Sequence, residues 1–264
     1  MSASADRGGL RLAVTMFTAL PVPRSWHGDA DRQRAARAVC WLPLLGAVLG
    51  ALAGVPVAAV LARQPGAALL AAVLGIASLV LLSRGLHLDG LADTADALGS
   101  RAPAERALQI MRRSDIGPFG VLTLALVLSA DIAALAYVVG DSTWRGCAAL
   151  AVAAATGRVA ITHAAWPGVP AARGSGFGAL VAGGVRAPVA CGLTVLVLGG
   201  GAVLAVAVGA SPLGWPIAQA AALLAAAAVR VHTTRRLGGV TGDIFGALVE
   251  CASALTLIGL ALAG

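Results

Sequence analysis

The sequence has 264 residues, of which 59% are hydrophobic and 12% are charged, and its mean hydropathy is +0.88. This composition excludes an ordinary water-soluble protein, because the chain has too little polar surface to cover one or two soluble domains. The net charge of +7 comes from arginines that are spread between apolar runs, so no single nucleic-acid-binding patch is predicted.

The first 38 residues predict a segment at the membrane surface. They contain a short apolar stretch flanked by Arg7, Arg11 and Arg24. This stretch is shorter than the roughly 20 residues that cross the hydrocarbon core of a bilayer, so we expect an interfacial helix here.

Apolar runs along the rest of the chain predict about seven membrane-spanning helices. The fold class is therefore an all-α, polytopic integral membrane bundle, with residues 1–264 forming a single domain. The predicted spans are 39–61, 67–82, 119–139, 147–165, 189–208, 217–229 and 247–262.

The arginines predict the orientation of these spans. Six arginines precede the first span, five lie between the second and third, and three precede the last, whereas the alternate loops hold one arginine or none. Because cytoplasmic loops are enriched in Lys and Arg, we expect the N-terminus in the cytoplasm. The polar segments 83–117, 171–186 and 230–243 then share the cytoplasmic side.

An aspartate-rich motif lies within the cytoplasmic segment 83–117. Asp89, Asp93 and Asp96 would share one face of a helix, because they are spaced at i, i+4 and i+7. Like charges at this spacing repel one another, so a cation should lie among them. Carboxylates without His or Cys partners suit Mg²⁺, and also Mn²⁺. We therefore predict a metal site that receives a phosphorylated substrate; the alternative is a solvated acidic helix face.

Two further segments carry candidate phosphate contacts. Arg112 and Ser114 precede the Gly117-Pro118 pair, which should end a helix before the third span; the arginine either neutralises phosphate or anchors the membrane surface. Arg158 lies inside an apolar run, where a charge is costly, so we expect it to face a polar cavity or a carboxylate.

Two Gly-rich segments complete the set. Arg173 adjoins a Gly-rich turn whose backbone N–H groups could bind an anion; the alternative is a flexible loop, which this segment taken alone favours. Asp243 is framed by glycines in RRLGGVTGDIFGA, which either allow close helix packing around a ligand or make Asp243 an N-cap. His87, two residues before Asp89, could hydrogen-bond a metal ligand or a phosphate.

The sequence resembles the cobalamin 5'-phosphate synthase family, also called adenosylcobinamide-GDP ribazoletransferase. The resemblance rests on HLDGLADTADALG, RALQIMRRSDIGPFG, a GR pair within a span, an AR…GFGA loop and GGVTGDIFGA. It runs through nearly the whole chain and implies a multi-pass enzyme of the bacterial cytoplasmic (inner) membrane. Its active site would face the cytoplasm.

The resemblance also implies a reaction. Adenosylcobinamide-GDP and α-ribazole, or its 5'-phosphate, would be joined with loss of GMP as the final assembly step of cobalamin. We interpret Asp89, Asp93 and Asp96 as metal ligands, and Asp243 either as a further ligand or as the base that accepts the ribazole proton. Asp96 is the other candidate base. The predicted substrate and phosphate contacts are His87, Arg112, Ser114, Arg158 and Arg173.

The expected partners are these substrates and the lipid bilayer, with no nucleic acid; a homo-oligomer and association with other enzymes of the pathway are further expectations. Two alternatives differ in function. One is a membrane enzyme similar to the CDP-alcohol phosphotransferases with another substrate. The other is a cation-coupled transporter, which should have acids near the centres of its spans, whereas we place the acids at the cytoplasmic ends.

Overall fold

A computed structural model describes residues 3–26, 28 and 30–263, and this part of the chain is helical without a named strand. Arg24–Trp26 forms a short 3₁₀ turn. The α-helices are α1 (Ala3–Phe17), α2 (Arg32–Arg63), α3 (Ala68–Leu82), α4 (Leu86–Gly99), α5 (Ala104–Ile110), α6 (Pro118–Asp141), α7 (Thr143–Ala164), α8 (Phe177–Val181), α9 (Ala187–Ala207), α10 (Gly214–Leu237) and α11 (Gly242–Ala263).

The predicted all-α membrane bundle is confirmed. Among the described residues, 6 helices are long and apolar enough to cross a membrane, namely α2, α6, α7, α9, α10 and α11. The pair α3 and α4 is apolar and long enough only when taken together, and it brings the number to 7 if this bent pair is counted as one span. Helix α10 extends well beyond the predicted span 217–229, because the helix continues through polar residues after the apolar run ends.

The sequence did not predict the bend between α3 and α4. The two helices meet at 90°, where Arg84 and Gly85 adopt left-handed backbone angles, with φ of 60° and 65°. The Gly85 N–H donates to the Val80 carbonyl at 2.8 Å, which closes the end of α3 in the manner of a left-handed C-cap. Helix α4 is therefore not a continuation of the α3 span, and it runs at a right angle to it.

Helices α7 and α11 form the centre of the bundle, since most of their length is buried. Helix α2 packs tightly against α7 through Gly46 and Gly50. A Cβ atom on either glycine would lie 2.4 Å from a carbonyl oxygen of α7, that of Ala154 or Leu150 respectively. Small residues four positions apart permit such close approach of membrane helices. This rigid centre supports the N-terminal end of α11, over which α4 lies.

Candidate active site

The three predicted aspartates lie on α4, as the spacing predicted. Asp89 is exposed, Asp93 is partly buried and Asp96 is 8% exposed. Burial therefore increases along the acidic face from Asp89 to Asp96. Helix α4 presents its first two carboxylates at the surface and directs the third into the protein.

A glycine contact brings α4 against the beginning of α11. A Cβ atom on Gly90 would lie 2.5 Å from the Asp243 carbonyl oxygen, and one on Gly246 would lie 2.8 Å from the His87 carbonyl oxygen. Neither position has room for a side chain, so the two backbones cross in direct contact. This crossing places Asp243 beside the acidic face of α4.

The Asp243 carboxylate is held by two side chains, those of Arg173 and Thr241. Its Oδ2 accepts a hydrogen bond from Arg173 Nη1 at 3.3 Å and one from the Thr241 hydroxyl at 3.2 Å. Thr241 Oγ1 also accepts from the Ile244 N–H, so Thr241 caps α11 and Asp243 lies in the first turn. The alternative that Asp243 is the N-cap is therefore wrong. The carboxylate of Asp243 is oriented by the side chains of Arg173 and Thr241. It does not cap α11, because Thr241 does so.

The loop that carries Arg173 is fixed to the rest of the site. Its backbone forms a bridge between Ala171 and Val240, and the Ala172 N–H donates to the Val240 carbonyl at 3.0 Å. The other end of the guanidinium, Arg173 Nη2, donates to the Leu108 carbonyl at 2.9 Å. The structure thus joins the three polar segments that the arginine pattern placed on one side of the membrane.

Asp93 lies at the centre of the resulting charge cluster. Burial raises the pKa of Asp93 to about 7, with further upward contributions from Asp89, Asp243 and Asp96 and a downward one from Arg173. Asp93 is therefore influenced by three other carboxyl groups and by a single guanidinium. Such an excess of carboxylates favours a bound cation.

Asp96 has a different environment from the other acids. Its two oxygens accept hydrogen bonds from the Gly117 N–H at 2.7 Å and the Gly120 N–H at 2.9 Å. A Cβ atom on either glycine would lie 2.5 Å from an Asp96 oxygen. Asp96 therefore anchors the beginning of α6, where backbone N–H groups lack partners within the helix and a negative charge is stabilising.

The acids fit Mg²⁺ as a partly open site. In the described part of the chain, no group of three His, Cys, Asp or Glu side chains is arranged to hold a metal ion by itself. Mg²⁺ is, however, usually held by one or two carboxylates together with water and substrate phosphates. Asp89 and Asp93, one turn apart on α4, are a pair of carboxylates that could hold an ion in this way.

The structure does not bring His87 and Arg158 to this cluster. Arg158 is buried within α7 and donates to the Ala154 carbonyl at 2.9 Å. His87 lies on the inner side of α4, with its Nδ1 atom 4.0 Å from Glu250 Oε1. Arg158 and Glu250 line a cavity of about 30 Å³ together with Asp131. Arg158 thus shares a cavity with two carboxyl groups, which agrees with the expectation that it faces a polar cavity or a carboxylate.

Asp131 and Glu250 are residues that the sequence analysis missed. Both lie inside membrane-spanning helices, α6 and α11 respectively, so the expectation that the acids lie only at the cytoplasmic ends is wrong. The sequence does contain a signal for them, because each is a single acid within an apolar run, and burying a charge in the membrane costs free energy. That Asp131 and Glu250 share a cavity with Arg158 depends on tertiary packing, which one sequence does not reveal.

Arg112 and Ser114 are exposed in the segment between α5 and α6. This segment ends at Gly117, whose N–H is bound by Asp96, and α6 begins at Pro118 as the Gly-Pro pair predicted. Both side chains are accessible to a ligand. Their predicted contact with phosphate stays a prediction.

Comparisons with known proteins agree on one family. The family model described as Cobalamin-5-phosphate synthase matches residues 9–261. Proteins named adenosylcobinamide-GDP ribazoletransferase are similar along nearly their whole length: that of Frankia casuarinae is 42% identical, covering 96% of this chain and 94% of the relative. Those of Nocardioides sp. and Escherichia coli are 39% and 34% identical, covering 96% and 94% of this chain and 97% and 96% of the relatives. No solved structure matches.

Proposed function

Since the chain belongs to the cobalamin-5-phosphate synthase family, we propose that it joins adenosylcobinamide-GDP to α-ribazole or α-ribazole 5'-phosphate and releases GMP. The observation that carries the proposal is the meeting of Asp89 and Asp93 of α4 with Asp243 of α11 and Arg173. The product is cobalamin, or its 5'-phosphate, with the adenosyl group retained. Carboxylates that hold a divalent cation suit a substrate with a pyrophosphate, because the cation also binds the phosphate oxygens.

Asp89 and Asp93 are the residues that would hold Mg²⁺ or Mn²⁺. When bound there, the ion supplies positive charge that offsets the negative charge on the phosphate oxygens. Asp96 is a weaker candidate ligand, since both of its oxygens already accept backbone hydrogen bonds. We assign it to positioning, because it fixes α4 relative to the beginning of α6.

Arg173 provides a positive group beside Asp243. Its guanidinium is fixed at two points, on Asp243 and on the Leu108 carbonyl. A guanidinium held in this way can donate to phosphate oxygens with little further loss of conformational freedom. We propose that Arg173 orients the pyrophosphate and stabilises the charge that develops on the departing GMP.

Asp243 is our candidate for the base. The ribazole hydroxyl oxygen forms a bond to the phosphorus attached to cobinamide, and the bond from that phosphorus to the bridging oxygen breaks. The electron pair of the broken bond leaves with GMP, and the hydroxyl proton passes to a carboxylate. Arg173 and Thr241 both bind Oδ2 of Asp243, which leaves Oδ1 available to accept that proton.

We propose that the site faces the cytoplasm. The arginine-rich loops predict this side, and the contacts among segments 83–117, 171–186 and 230–243 support a common location for them. Arg236, for example, donates a hydrogen bond to the Ala102 carbonyl. A bacterial cytoplasmic membrane is the expected location, since the nucleotide substrate and Mg²⁺ are available on that side.

The test is product formation by the full chain in phospholipid vesicles. With adenosylcobinamide-GDP and α-ribazole we expect GMP and the coupled cobamide in equal amounts by mass spectrometry. The Asp93→Asn variant should lose both products, whereas Glu105→Gln, which alters an exposed acid of α5, should retain them.

The two parts of the proposal fail in different ways. No GMP from folded wild-type protein would contradict the reaction. GMP release at the wild-type rate by Asp93→Asn would leave the reaction intact and contradict the site.

A further inference from the structure

A large groove lies between α2 and α9 and shares no lining residue with the candidate active site. Its volume is about 1080 Å³, which is at the upper end of the volumes that enclose a drug-sized ligand. Ala151, Val152 and Ala155 of α7 form its floor. Both walls belong to candidate membrane spans, so the groove lies at the depth of the lipid acyl chains.

The α9 wall is a continuous apolar face. Val189, Leu193, Gly200 and Leu204 line the groove, and their successive spacings of four, seven and four residues keep them on one side of the helix. The distance along α9 from the first to the last is about 22 Å. This is more than half of the roughly 30 Å hydrocarbon core of a bilayer, which suits an extended acyl chain.

The groove is basic at one end only. Arg32 and Arg37 lie in the first two turns of α2, and Arg186 precedes α9. When the pair α3 and α4 is counted as one span, the chain crosses the membrane four times between these two ends, through α2, that pair, α6 and α7, so both ends lie on the same side of the membrane. No Asp or Glu is among the lining residues in the described part of the chain.

The three arginines have different tasks. Arg32 donates to the carbonyls of Ala179 and Ala182 at 2.9 and 2.8 Å, and this fixes the segment that leads into α9. Arg37 and Arg186 make no side-chain hydrogen bond or ion pair with any described residue. Two guanidinium groups at the end of an apolar groove are complementary to a phospholipid, whose anionic phosphate lies at the end of its apolar acyl chains.

We propose that this groove binds one anionic phospholipid, with the headgroup phosphate at Arg37 and Arg186 and an acyl chain along α9. Basic pockets between membrane helices on the cytoplasmic side bind anionic headgroups, and each basic residue near the surface contributes about 1 kcal/mol. Zwitterionic lipid would fill the apolar part of the groove without this gain. The site is independent of the proposed transferase activity.

The experiment uses the full chain reconstituted in vesicles of phosphatidylcholine and phosphatidylglycerol, extracted in detergent and examined by native mass spectrometry. We expect the wild-type protein to retain one phosphatidylglycerol in preference to phosphatidylcholine. Arg37→Gln should weaken this retention about five-fold, and Arg37→Gln with Arg186→Gln about thirty-fold. Arg235→Gln is the matched control, since Arg235 is exposed and does not line the groove.

A second variant tests the apolar part without changing charge. Gly200 lines the groove, and a Cβ atom there would meet nothing within 4 Å, so Gly200→Leu should fill the groove and exclude the acyl chain. Gly199 is equally open but is not a lining residue, and Gly199→Leu should bind lipid as the wild type does. Thermal unfolding midpoints identify any variant that has simply failed to fold.

Three outcomes would overturn the proposal. Equal retention of phosphatidylglycerol by wild type, the double arginine variant and Gly200→Leu would show that the lipid binds elsewhere. Equal retention of the two lipids by the wild type would show that the arginines do not select an anionic headgroup. A lipid-free dimer would show that a second copy of the chain covers the groove.

Discussion

The crossing of α4 and α11 at Gly90 is the feature that we expect to respond most sharply to a small change. In Gly90→Ala the new methyl group would lie 2.5 Å from the Asp243 carbonyl oxygen and 3.0 Å from the Asp243 Cα atom. Ordinary contacts of carbon with other heavy atoms are about 3.5 Å or longer, so the helices must separate by about 1 Å. Asp89 and Asp93 then move away from Asp243.

The expected loss of activity is larger than the expected loss of stability. A displacement of about 1 Å between catalytic groups can reduce a rate about 100-fold. Overpacking costs about 1–3 kcal/mol, and the better helix propensity of Ala offsets about 1 kcal/mol of this. Gly90→Ala should therefore fold and release GMP about 100-fold more slowly.

The assay is the initial rate of GMP release in vesicles, together with the unfolding midpoint in detergent. Gly192→Ala is the matched control, because Gly192 also lies within a helix and its Cβ atom would meet nothing within 4 Å. It should keep the wild-type rate. A wild-type rate in folded Gly90→Ala would refute the reasoning that this crossing sets the geometry of the site.

Three other substitutions distinguish the roles of the remaining charged residues. Asp96→Asn should destabilise the protein by about 1–3 kcal/mol, because its amide nitrogen cannot accept one of the two backbone N–H bonds, and should retain GMP release within about ten-fold. Arg173→Lys should lower kcat about ten-fold, since one ammonium cannot hold Asp243 and the Leu108 carbonyl in the same geometry. Glu250→Gln should lower the free energy of unfolding by about 1–3 kcal/mol, because the buried charge of Arg158 loses a nearby carboxylate in the cavity that they share.

Each of these predictions has an outcome that contradicts it. Complete loss of GMP release in a stable Asp96→Asn protein would make Asp96 the base. An unchanged kcat for Arg173→Lys would show that the reaction does not depend on the guanidinium of Arg173. A free energy of unfolding equal to that of the wild type in Glu250→Gln would show that Glu250 does not compensate the charge of Arg158. The double variant Arg158→Met, Glu250→Leu should recover much of the stability that Glu250→Gln loses.

The sequence predicted what depends on local pattern. The apolar runs predicted the membrane helices, because a run of apolar side chains of sufficient length is stable in the hydrocarbon core whatever its neighbours are. The helix that was assumed for Asp89, Asp93 and Asp96 is α4, and the Gly-Pro pair predicted the beginning of α6. These features depend on residues that are close in the chain.

The remaining features depend on contacts between distant residues. Asp96 shares a helical face with Asp93, but its oxygens bind glycine N–H groups more than 20 residues further along the chain, which helical spacing cannot reveal. The bend after Ser83 depends on the backbone of Arg84, for which a positive φ is unusual. The cavity shared by Asp131, Arg158 and Glu250 requires three separate spans to pack together.

The most direct test of the central claim is a titration of GMP release against Mg²⁺ for wild type, Asp89→Asn and Asp93→Asn in vesicles. The proposed site predicts no release with EDTA, saturation of the wild-type rate as Mg²⁺ is restored, and either no release or a much higher Mg²⁺ requirement in both variants. GMP release that persists in EDTA, or variants that saturate at the wild-type Mg²⁺ concentration, would contradict the claim that the α4 carboxylates hold the ion.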